Sequence, residues 1–521
     1  MSDHEQIKHR GVVTICVMAA TVMQVLDTTI ANVALPHMQG SLSAAQDTIT
    51  WVLTSYIVAA AVATPLTGWL ADRVGRKQLF VVCVAGFTVA SMLCGLAMTL
   101  GEMVMFRILQ GIFGAALIPL SQAVMLDINP PHRHAQAMAL WGAGIMVGPI
   151  LGPALGGYLT DTLNWRWVFF VNLPIGILVF FGLLFLMAAN KPQPRKFDFL
   201  GFTLLAIAIG SLQFLLDRGE RQDWYGSVEI WVETFLSIGA FWMFAVHLAT
   251  SNSTFIDRRL LGDRNFLAAC GLIFVVGALV VGVAAMVPPM LQSLFGYSTI
   301  ESGLVLAPRG FGTLFIMLIL GRAGTRIDPR IFLSTGLAIT VATMWWMTKF
   351  TLMMGWMPFV LSSVAQGMGL GLLFAPLSAA SLSTIEMRLR TQAAGLFSLM
   401  RNIGSSVGVS ILATELAQNT QINHEQLAEH ISAFNPLLAP QLTGPLASMV
   451  APYADTVTAL VNQEVTRQAA MISYLNDFKL VMWWTIASIP LIFMLRRPQY
   501  GGRPKPAQSG PPTDIVPEPA H

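Results

Sequence analysis

Charge is scarce in this chain of 521 residues, because aspartate, glutamate, lysine and arginine make up only 11% of it. A soluble globular domain carries about 25% charged residues, so an ordinary soluble fold is excluded. Hydrophobic residues make up 55% of the chain, and the mean hydropathy is +0.64. Many apolar runs reach the roughly 20 residues that a helix needs to cross a bilayer. We therefore predict an all-α polytopic membrane protein.

Cysteine is also rare, and the sequence lacks the motifs typical of metal binding, nucleotide binding and catalysis. The four cysteines lie in apolar segments without C-x-x-C spacing, which predicts neither a disulfide framework nor a metal site. The sequence contains no G-x-x-x-x-G-K-S/T loop, which argues against a nucleotide-driven pump. No cluster of histidine, cysteine or carboxylate residues points to catalysis. We therefore expect neither an enzyme nor a bound cofactor or metal.

The apolar runs predict fourteen membrane spans, and an even number places both termini on the same side. If the N-terminus is inside, most of the 30 lysine and arginine residues fall in inner segments. The outer segments carry only Arg166, Arg218, Arg221, Lys349 and Arg467. Because cytoplasmic loops are enriched in positive charge, we expect both termini in the cytoplasm.

One carboxylate, Asp27, lies inside the first long apolar run. A charge at that depth costs several kcal/mol unless it is paired, wetted or protonated. In the predicted spans it is the only carboxylate near mid-membrane, since Glu301 and Glu415 fall near the outer ends of spans in the second half. Asp27 is therefore the leading candidate for an acid that binds and releases a proton.

Predicted span 4 places Arg107, Gln110, Gly111 and Gly114 on one helical face, at positions i, i+3, i+4 and i+7. At about 1.5 Å per residue, the depths of Arg107 and Asp27 differ by only ~5 Å. We therefore expect a direct or water-bridged pair between them. A structural arginine bonded to backbone carbonyls is the alternative.

A charged loop, Gly68–Lys77, separates predicted spans 2 and 3. Its simplest role is that of a positively charged anchor on the inner side. The spacing is more specific than that role requires, because Gly68 permits close helix approach and Asp72 can cap a neighbouring helix N-terminus. Arg76 can pair with Asp127 at the inner end of span 4.

Predicted span 5 carries a regular stripe of small residues with prolines between them. The stripe consists of Gly144, Gly148, Gly152 and Gly156 at four-residue spacing, with Pro149 and Pro153 between them and Gly157 after them. Stripes of this kind let membrane helices pack closely. By itself, the pattern therefore indicates a close helix contact.

These motifs resemble those of the major facilitator superfamily. The loop matches the signature G-x-x-x-D-R-x-G-R-K through Gly68, Asp72, Arg73, Gly75, Arg76 and Lys77. In that family the loop latches the two halves in the outward-facing state. Arg107 matches the R-x-x-Q-G motif associated with proton transfer. The span 5 stripe resembles the antiporter motif, which separates exporters from uptake symporters.

Over nearly its whole length the chain resembles the fourteen-span drug:proton antiporter family, and within it the EmrB type of multidrug permease. The segments with the closer likeness are Met23–Pro36, Ile118–Gln122, Leu212–Gln213, Leu216–Gly219 and the long outer segment 416–476. The resemblance implies two six-helix bundles, residues 1–190 and 266–497, with two inserted transmembrane helices in residues 191–265.

The resemblance also implies a function and partners. It implies proton-driven efflux of hydrophobic or amphipathic compounds by alternating access, from a bacterial inner membrane. It further implies a periplasmic membrane-fusion adaptor and an outer-membrane channel. Segment 416–476, with helix-like stretches around Glu425–Ala433 and Ala454–Tyr474, is then either a cap over the outer mouth or a docking surface. The tail 498–521 is rich in proline, glycine and serine and is expected to be disordered.

Several polar residues are candidates for the substrate cavity. Gln24 and Thr28 share a helix face with Asp27. Arg309 and Arg401 lie near the middle of spans 10 and 13, where they either bond to backbone carbonyls or attract an anionic part of the substrate. The full set of candidates is Gln24, Thr28, Gln110, Arg309 and Arg401.

Two other functions stay open on the sequence alone. An uptake symporter of the same superfamily is the nearest, and the span 5 motif argues against it. A non-transporting sensor or scaffold, with segment 416–476 as its working part, is the other. The charged residues Asp27, Arg107, Arg309 and Arg401 inside the membrane are hard to justify for a scaffold.

Overall fold

The structure is a computed structural model. It describes residues 10–45, 48–130, 133–188, 196–251, 254–323, 328–429 and 454–495. Within these ranges the chain forms α-helices and a few 3₁₀ turns, and it contains no strand. The predicted tail 498–521 lies outside the described residues.

The first half of the chain forms helices with short breaks between them. They are α1 (Arg10–Ser41), α2 (Trp51–Ala63), α3 (Leu66–Val74), α4 (Arg76–Leu96), α5 (Leu100–Gly114), α6 (Leu117–Asp127), α7 (His134–Thr162), α8 (Trp167–Phe170) and α9 (Asn172–Leu186). The axes of α2 and α3 differ by 58°. The bend falls at Pro65, which lacks the backbone N–H that a continuous helix would need.

Two helices, α10 (Phe199–Arg218) and α11 (Val228–Thr250), follow as an antiparallel pair. The second half then forms another set of long and broken helices. They are α12 (Arg258–Gly262), α13 (Arg264–Phe295), α14 (Thr299–Leu306), α15 (Pro308–Ala323), α16 (Pro329–Met347), α17 (Met357–Ser383), α18 (Arg390–Glu429) and α19 (Ala454–Met494).

The described helices have the length and hydropathy of membrane spans. Eleven helical segments qualify singly, and the bent pair α2–α3 raises the number to 12. The helices α7 and α16 are not in that set, although they contain 29 and 19 residues. With both of them the predicted fourteen would be reached, so that number stays a prediction. The all-α polytopic fold class is confirmed.

Packing divides the helices into two groups that meet along a few contacts. In the first half α1 packs against α7 and α9, and α2 packs against α5. In the second half α13 packs against α18 and α19, while α17 packs against α15 and α16. The groups meet where α7 touches α15 and α17, and where α18 touches α3 and α6. The boundaries 1–190, 191–265 and 266–497 themselves stay predictions.

Two helices of the second half are much longer than a membrane crossing requires. α18 contains 40 residues and α19 contains 41, so each is about 60 Å long at 1.5 Å per residue. The described residues of the helix-like stretches expected in segment 416–476 are helical, and they extend the two long helices. Residues 416–429 continue α18 and residues 454–476 belong to α19, while residues 430–453 lie outside the described ranges.

Candidate functional site

A polar cluster surrounds Asp27 inside the first half of the molecule. Asp27 is 0% exposed, and its Oδ2 accepts a hydrogen bond from Arg107 Nη1 at 2.7 Å. Its Oδ1 accepts hydrogen bonds from Gln110 Nε2 and Asn172 Nδ2, each at 2.8 Å. The expected pairing of Asp27 with Arg107 is therefore a direct, buried ion pair in this structure.

The guanidinium of Arg107 is held by more than its carboxylate partner. Its Nε donates to Val52 O at 3.0 Å, and its Nη1 also reaches Gln110 Oε1 at 2.8 Å. Its Cζ lies 4.5 Å from the ring centroid of Tyr56 and 5.6 Å from that of Phe169. Aromatic faces attract a cation in this position. Arg107 thus combines the two alternatives raised by the sequence, a carboxylate pair and a bond to a backbone carbonyl.

Four helices bring this cluster together, because each one directs a polar side chain inward. Arg107 and Gln110 are three residues apart on α5, so they point to the same side. Asn172 begins α9, and its Nδ2 also donates to Ser91 Oγ on α4 at 2.9 Å. Ser91 in turn donates to Phe169 O at 2.9 Å. The surrounding apolar faces lower the local dielectric constant, which strengthens the ion pair on α1 and α5.

A second polar set bridges the two halves at the end of α6. Arg76 on α4 forms an ion pair with Asp127, as the sequence suggested. Arg76 Nη2 also donates to Met387 O at 2.8 Å, and Arg390 Nη1 lies 3.4 Å from Asp127 Oδ1. Met387 and Arg390 belong to the second half of the chain. We call Arg76, Asp127, Met387 and Arg390 the inner clasp.

Two glycines of the charged loop are required by its geometry. A Cβ atom on Gly68 would lie 2.6 Å from Gln392 Cβ and 2.7 Å from Gln392 Cα, far inside van der Waals contact. Gly68 therefore lets α3 touch the start of α18. Gly75 has a φ of 93°, which a residue with a Cβ rarely adopts. The turn between α3 and α4 therefore needs glycine.

The other charged residues of the loop lie close to the inner clasp. Arg73 Cζ lies 5.1 Å from the ring centroid of Trp69. Asp72 is near enough to Arg388 to attract it electrostatically. The helix cap expected of Asp72 stays a prediction.

Gln392 also connects the inserted helices to this contact. Its Nε2 donates to Phe255 O at 2.7 Å, and its Oε1 accepts from Asp257 N at 3.4 Å. Phe255 N donates to Asp198 Oδ2 at 3.0 Å, and His247 Nε2 lies 2.9 Å from the same carboxylate. Burial by itself would raise the pKa of the Asp198 carboxyl group. Hydrogen bonds from backbone amides and from His247 outweigh that effect and hold the pKa below its usual range. The ends of α10 and α11 are thus tied to the glutamine that Gly68 touches.

The small-residue stripe of α7 packs against α1 beside Asp27. A Cβ atom on Gly148 would lie 2.7 Å from Val25 Cγ1 and 3.1 Å from Leu26 N. One on Gly152 would lie 2.1 Å from Thr29 Oγ1. The close packing expected of the stripe is thus present on both sides of Asp27, at Val25 and Leu26 before it and at Thr29 after it.

The outer members of the stripe behave differently from one another. A Cβ atom on Gly144 would lie 2.8 Å from Met18 Cε, and one on Gly156 would lie 3.1 Å from Ile30 Cγ2, whereas Gly157 has nothing within 4 Å. The side chains of Pro149 and Pro153 lie outside the described part of the structure. Gly157 is therefore a natural control for the packed glycines.

Replacing Gly148 with alanine is expected to destabilise the protein by about 1–3 kcal/mol, the usual cost of overpacking. Val25 can turn away, but the backbone nitrogen of Leu26 moves only if α1 shifts, and α1 carries Asp27. The measurement is the midpoint of thermal unfolding of the purified protein. Gly157→Ala is the matched control, because its new methyl group meets nothing within 4 Å. Equal stability of the two variants would contradict a tight α1–α7 contact.

The arginines of the second half do not join the Asp27 cluster. Arg309 on α15 is half-buried, and its Nη2 lies 3.4 Å from Val280 O. Its side chain lines a cavity between α13, α15, α16, α17 and α19. The lining is apolar apart from Arg309, Thr340 and Gln366. Within the described part of the chain, the guanidinium of Arg309 is thus held by one long hydrogen bond to a backbone carbonyl.

The other candidates for the substrate cavity are dispersed. Gln24 and Thr28 are half-buried on α1, and Thr28 Oγ1 bonds to a carbonyl of its own helix at 2.8 Å. Gln110 belongs to the buried cluster around Asp27. Arg401 Nη2 lies 3.4 Å from Oδ1 of the neighbouring asparagine. Of the five candidates, Arg309 is the one that lines the cavity described above.

Two polar residues of the membrane region escaped the sequence analysis. Asn172 is an amide in an otherwise apolar run, which is a weak signal for a ligand of Asp27. Asp477 was placed at the edge of the last predicted span. However, α19 begins at Ala454, so Asp477 lies well inside the helix, and it is only 1% exposed. A second carboxylate is therefore as well buried as Asp27, and the inference that Asp27 is the sole carboxylate near mid-membrane stays a prediction.

Comparisons with known proteins identify the family. The sequence profile of the Major Facilitator Superfamily matches residues 17–409. Multidrug export protein EmrB of Escherichia coli K12 is 34% identical over 495 residues, which cover 93% of this chain and 94% of that protein. Fatty acid resistance protein FarB of Neisseria gonorrhoeae is 35% identical over 497 residues, which cover 94% of this chain and 97% of that protein.

Solved structures share the architecture at low sequence identity. The human organic anion transporter MFSD10 (TETRAN) superposes with a TM-score of 0.59 at 14% identity, covering 92% of this chain and all of that chain. The proton:xylose symporter XylE gives a TM-score of 0.56 at 13% identity, covering 92% of this chain and 96% of that chain. At such identities the likeness concerns the fold alone. The family profile and the relatives above 30% identity together show that this chain belongs to the Major Facilitator Superfamily and to its EmrB type of permease, so it is a transporter and not an enzyme.

Proposed function

We propose that this protein exports hydrophobic and amphipathic compounds by proton antiport and alternating access. The observation that carries the proposal is the buried pair of Asp27 and Arg107, with Gln110 and Asn172 on the same carboxylate. A buried ion pair contributes little to stability in general, so its presence at the centre of a membrane bundle points to function. The names of the relatives EmrB and FarB, which concern export and resistance, support the direction of transport.

The cluster suggests how a proton is coupled to movement. With Asp27 ionised, Arg107 neutralises its charge and α1 is held to α5. Protonation of Asp27 removes the charge that holds Arg107, which then relies on Val52 O and the aromatic faces beside it. A change in protonation therefore changes the strength of the contact between α1, α5 and α9. Because α7 packs on α1 beside Asp27, that change reaches the interface with the second half.

The proton gradient supplies enough free energy for uphill export. Moving one proton inward yields ~2.3 kcal/mol for 100 mV of membrane potential. Each pH unit across the membrane adds ~1.4 kcal/mol. One coupled proton can thus maintain roughly a tenfold substrate gradient for each pH unit. No cofactor is needed for this cycle.

The inner clasp defines the state of the cycle that this structure represents. Arg76, Asp127 and Arg390 join the halves at the ends of α4, α6 and α18. If these ends face the cytoplasm, the inner gate is closed and the state is outward-facing or occluded. We infer the orientation from the positive charge of the inner segments. The same reasoning supports cytoplasmic termini, and the bacterial relatives support our proposal of a bacterial inner membrane.

The long helices α18 and α19 suggest where partners bind. At about 60 Å each, they extend beyond a hydrocarbon core that is about 30 Å thick. We propose that their outer ends receive a periplasmic membrane-fusion adaptor, which passes substrate to an outer-membrane channel. Ile422, Leu460 and Val461 are 50%, 60% and 40% exposed there. Apolar residues at an aqueous surface suit such a contact.

Everted membrane vesicles test the proposed direction of transport. With an acidic lumen, an exporter accumulates a fluorescent amphipathic substrate in the lumen while protons leave. An uptake symporter, the alternative left by the sequence, would instead drive preloaded substrate out under the same gradient. Loss of either flux on adding a protonophore establishes proton coupling. Failure to accumulate any substrate from a broad drug panel would refute export.

Arg309 is expected to favour anionic amphipathic substrates. Among the described residues that line the cavity between α13, α15, α16, α17 and α19, its guanidinium is the one charged group. The name of the relative FarB concerns resistance to fatty acids, which are amphipathic anions at neutral pH. Replacing Arg309 with glutamine should weaken export of a fatty acid about tenfold, a change of ~1.4 kcal/mol. Export of a cationic dye should change much less.

The comparison of both substrates in one vesicle preparation decides the role of Arg309. Arg401→Gln is the matched control, because Arg401 is also an arginine of the second half but is not among the residues lining the cavity. Equal losses for the fatty acid and the cationic dye in Arg309→Gln would assign that arginine a structural role. A selective loss in Arg401→Gln instead would place the anion at α18.

A further inference from the structure

A carboxylate on α19 has no hydrogen-bonding partner in the described structure. Asp477 is 1% exposed, and neither its Oδ1 nor its Oδ2 has a hydrogen-bonding partner. No ion pair includes it among the described residues. Asp27, in contrast, is equally buried but has three donors. In the same conformation, the carboxylate of Asp27 is therefore stabilised by a counter-charge and hydrogen bonds, whereas that of Asp477 has neither among the described residues.

A hydrogen bond between α13 and α19 sets the depth of Asp477. Arg467 Nε donates to Leu294 O at 3.1 Å, and the two helices run antiparallel. Counting ten residues inward along each helix places Asp477 level with about residue 284, some 15 Å from Leu294. α13 runs from Arg264 to Phe295 and has mean hydropathy 2.7 over its most apolar stretch. Asp477 thus lies ~30 Å along α13 from Arg264, near the outer edge of a hydrocarbon core about 30 Å thick and below the outer ends of both helices.

The side chains around Asp477 are largely apolar. Tyr474 and Phe478, its neighbours on α19, belong to the same hydrophobic cluster as Met286 and Leu412 of α13 and α18. An ionised carboxylate without a partner costs several kcal/mol in such surroundings. Protonation removes that cost by removing the charge. The surroundings of Asp477 therefore favour its neutral form.

Few charged groups face Asp477 from the helices packed on α19. On α18, Glu415 is close enough to repel a negative charge on Asp477, which again favours the neutral form. α13 has no acidic or basic residue after Arg264, and α16 has none after Arg330. On α19 itself, Tyr474 is within electrostatic range and Lys479 is two residues further on, toward the opposite face of the helix.

A row of polar side chains leads from Asp477 toward the outer ends of α18 and α19. Glu415 accepts a hydrogen bond from Asn419 at 3.1 Å, and Asn423 donates to Ser473 Oγ at 3.0 Å. The three residues of α18 are four apart, so they share one face. Because Asn423 is paired with Ser473, Asn419 lies level with Asp477 in the antiparallel contact. Asn419 and Asn423 thus lie between the level of Asp477 and the outer end of α18, whereas Glu415 lies one turn further inward.

We propose that Asp477 is a second proton-binding carboxyl group of the transport cycle, which holds a proton in this conformation and exchanges it with outer water on the side of Asn419 and Asn423. The inference rests on the proposed antiport function. It adds a proton site in the second half of the molecule, on the far side of the interface from Asp27. In this conformation Asp27 is paired with Arg107, whereas Asp477 holds a proton. When the two halves move, each carboxyl group then binds or releases its proton.

Infrared spectroscopy of the purified full-length protein tests whether Asp477 holds a proton. A protonated carboxyl group has a C=O stretch that an ionised carboxylate lacks. Asp477→Asn should lose one such band at neutral pH, whereas Asp27→Asn should lose none, because Asp27 is paired with Arg107. Asp477→Glu should retain a band, and its elution profile controls for folding. An unchanged spectrum of Asp477→Asn would overturn the assignment.

The ratio of protons to substrate tests the role of Asp477 in transport. In proteoliposomes, the substrate gradient at zero net flux should fall about tenfold per pH unit when one coupled proton is lost. Asp477→Asn should show that loss, and Glu464→Gln, an exposed change on the same helix, should not. An unchanged ratio in Asp477→Asn would overturn the transport role. Absence of coupling in the wild type would refute the proposed function, and the infrared comparison would still decide whether Asp477 holds a proton.

Discussion

Replacing Asp27 with asparagine is expected to abolish proton-driven export. The amide cannot take up a proton from one side of the membrane and release it on the other. A wild-type protein that couples one proton through Asp27 loses about a tenfold substrate gradient per pH unit by this change. The measurements are substrate accumulation in everted vesicles and drug susceptibility of an efflux-deficient host. Both should match those of a host without the protein.

The same substitution also affects stability, and the two effects are separable. Asp27→Asn leaves the guanidinium of Arg107, which is 1% exposed, without a counter-charge. Breaking a buried pair in this way costs about 3–5 kcal/mol. The double variant Asp27→Asn with Arg107→Gln removes both charges. It should recover most of the lost thermal stability and none of the proton coupling.

Glu102→Gln serves as the matched control for the loss of a carboxylate in the same bundle. Glu102 is exposed in the first turn of α5 and bonds only to the local backbone. We expect this variant to export like the wild type. Full proton-driven accumulation by folded Asp27→Asn would remove Asp27 from the coupling role.

Replacing Gly68 with valine is expected to open the inner contact between the halves and to stop transport. Its Cβ would lie 2.7 Å from Gln392 Cα, which moves only with the backbone of α18. An overpacked contact costs about 1–3 kcal/mol. That cost falls only on the closed state, so the balance between closed and open states shifts roughly 5- to 150-fold. The inner clasp is then broken in a larger share of the molecules.

Distances between spin labels report this opening directly. Gln78 and Arg388 are exposed on opposite sides of the contact, so Gln78→Cys and Arg388→Cys provide a label pair. The four native cysteines are buried, which limits unwanted labelling. Gly68→Val should lengthen the distance relative to the unsubstituted pair. An unchanged distance together with normal export would show that the contact at Gly68 does not control the gate.

Gly101→Val is the matched control for the glycine substitution. A Cβ atom on Gly101 would meet nothing within 4 Å, and the residue lies in the first turn of α5. The variant should keep the wild-type distance and export. If it lost export as Gly68→Val does, general damage to the bundle would explain both results.

The sequence predicted two ion pairs of the site, because the position of a charged residue along a single helix indicates its depth in the membrane. Arg107 and Asp27 were expected to meet because their distances from the span centres are similar, and the structure places them 2.7 Å apart. The expected partner of Arg76 was Asp127, and the two form an ion pair. In both cases a charged residue had few possible partners at its depth. Because charged residues are scarce, these pairings could be predicted from the sequence.

Other contacts could not be predicted from the sequence, because they depend on which helices become neighbours. Asn172 reaches Asp27 only because α9 packs on α1. Gln392 joins Gly68 to the end of α11 only because α18 crosses both. The residue spacing along α9 predicts neither the position of Asn172 nor its partner, and the spacing along α18 does not predict the contacts of Gln392. The role of the five candidates in a substrate cavity stays a prediction for the same reason.

The sequence by itself determined the fold class, the expected orientation and the identity of the buried acid of the first half. These properties follow from hydropathy and charge along single helices, which the chain encodes locally. Only the tertiary structure decided that Asp27 is shared by three donors, that α3 and the inserted helices meet at Gln392, and that Asp477 is buried without a hydrogen-bonding partner. Burial and partners of a side chain depend on helices distant in sequence. Their lateral arrangement appears only when the bundle is assembled.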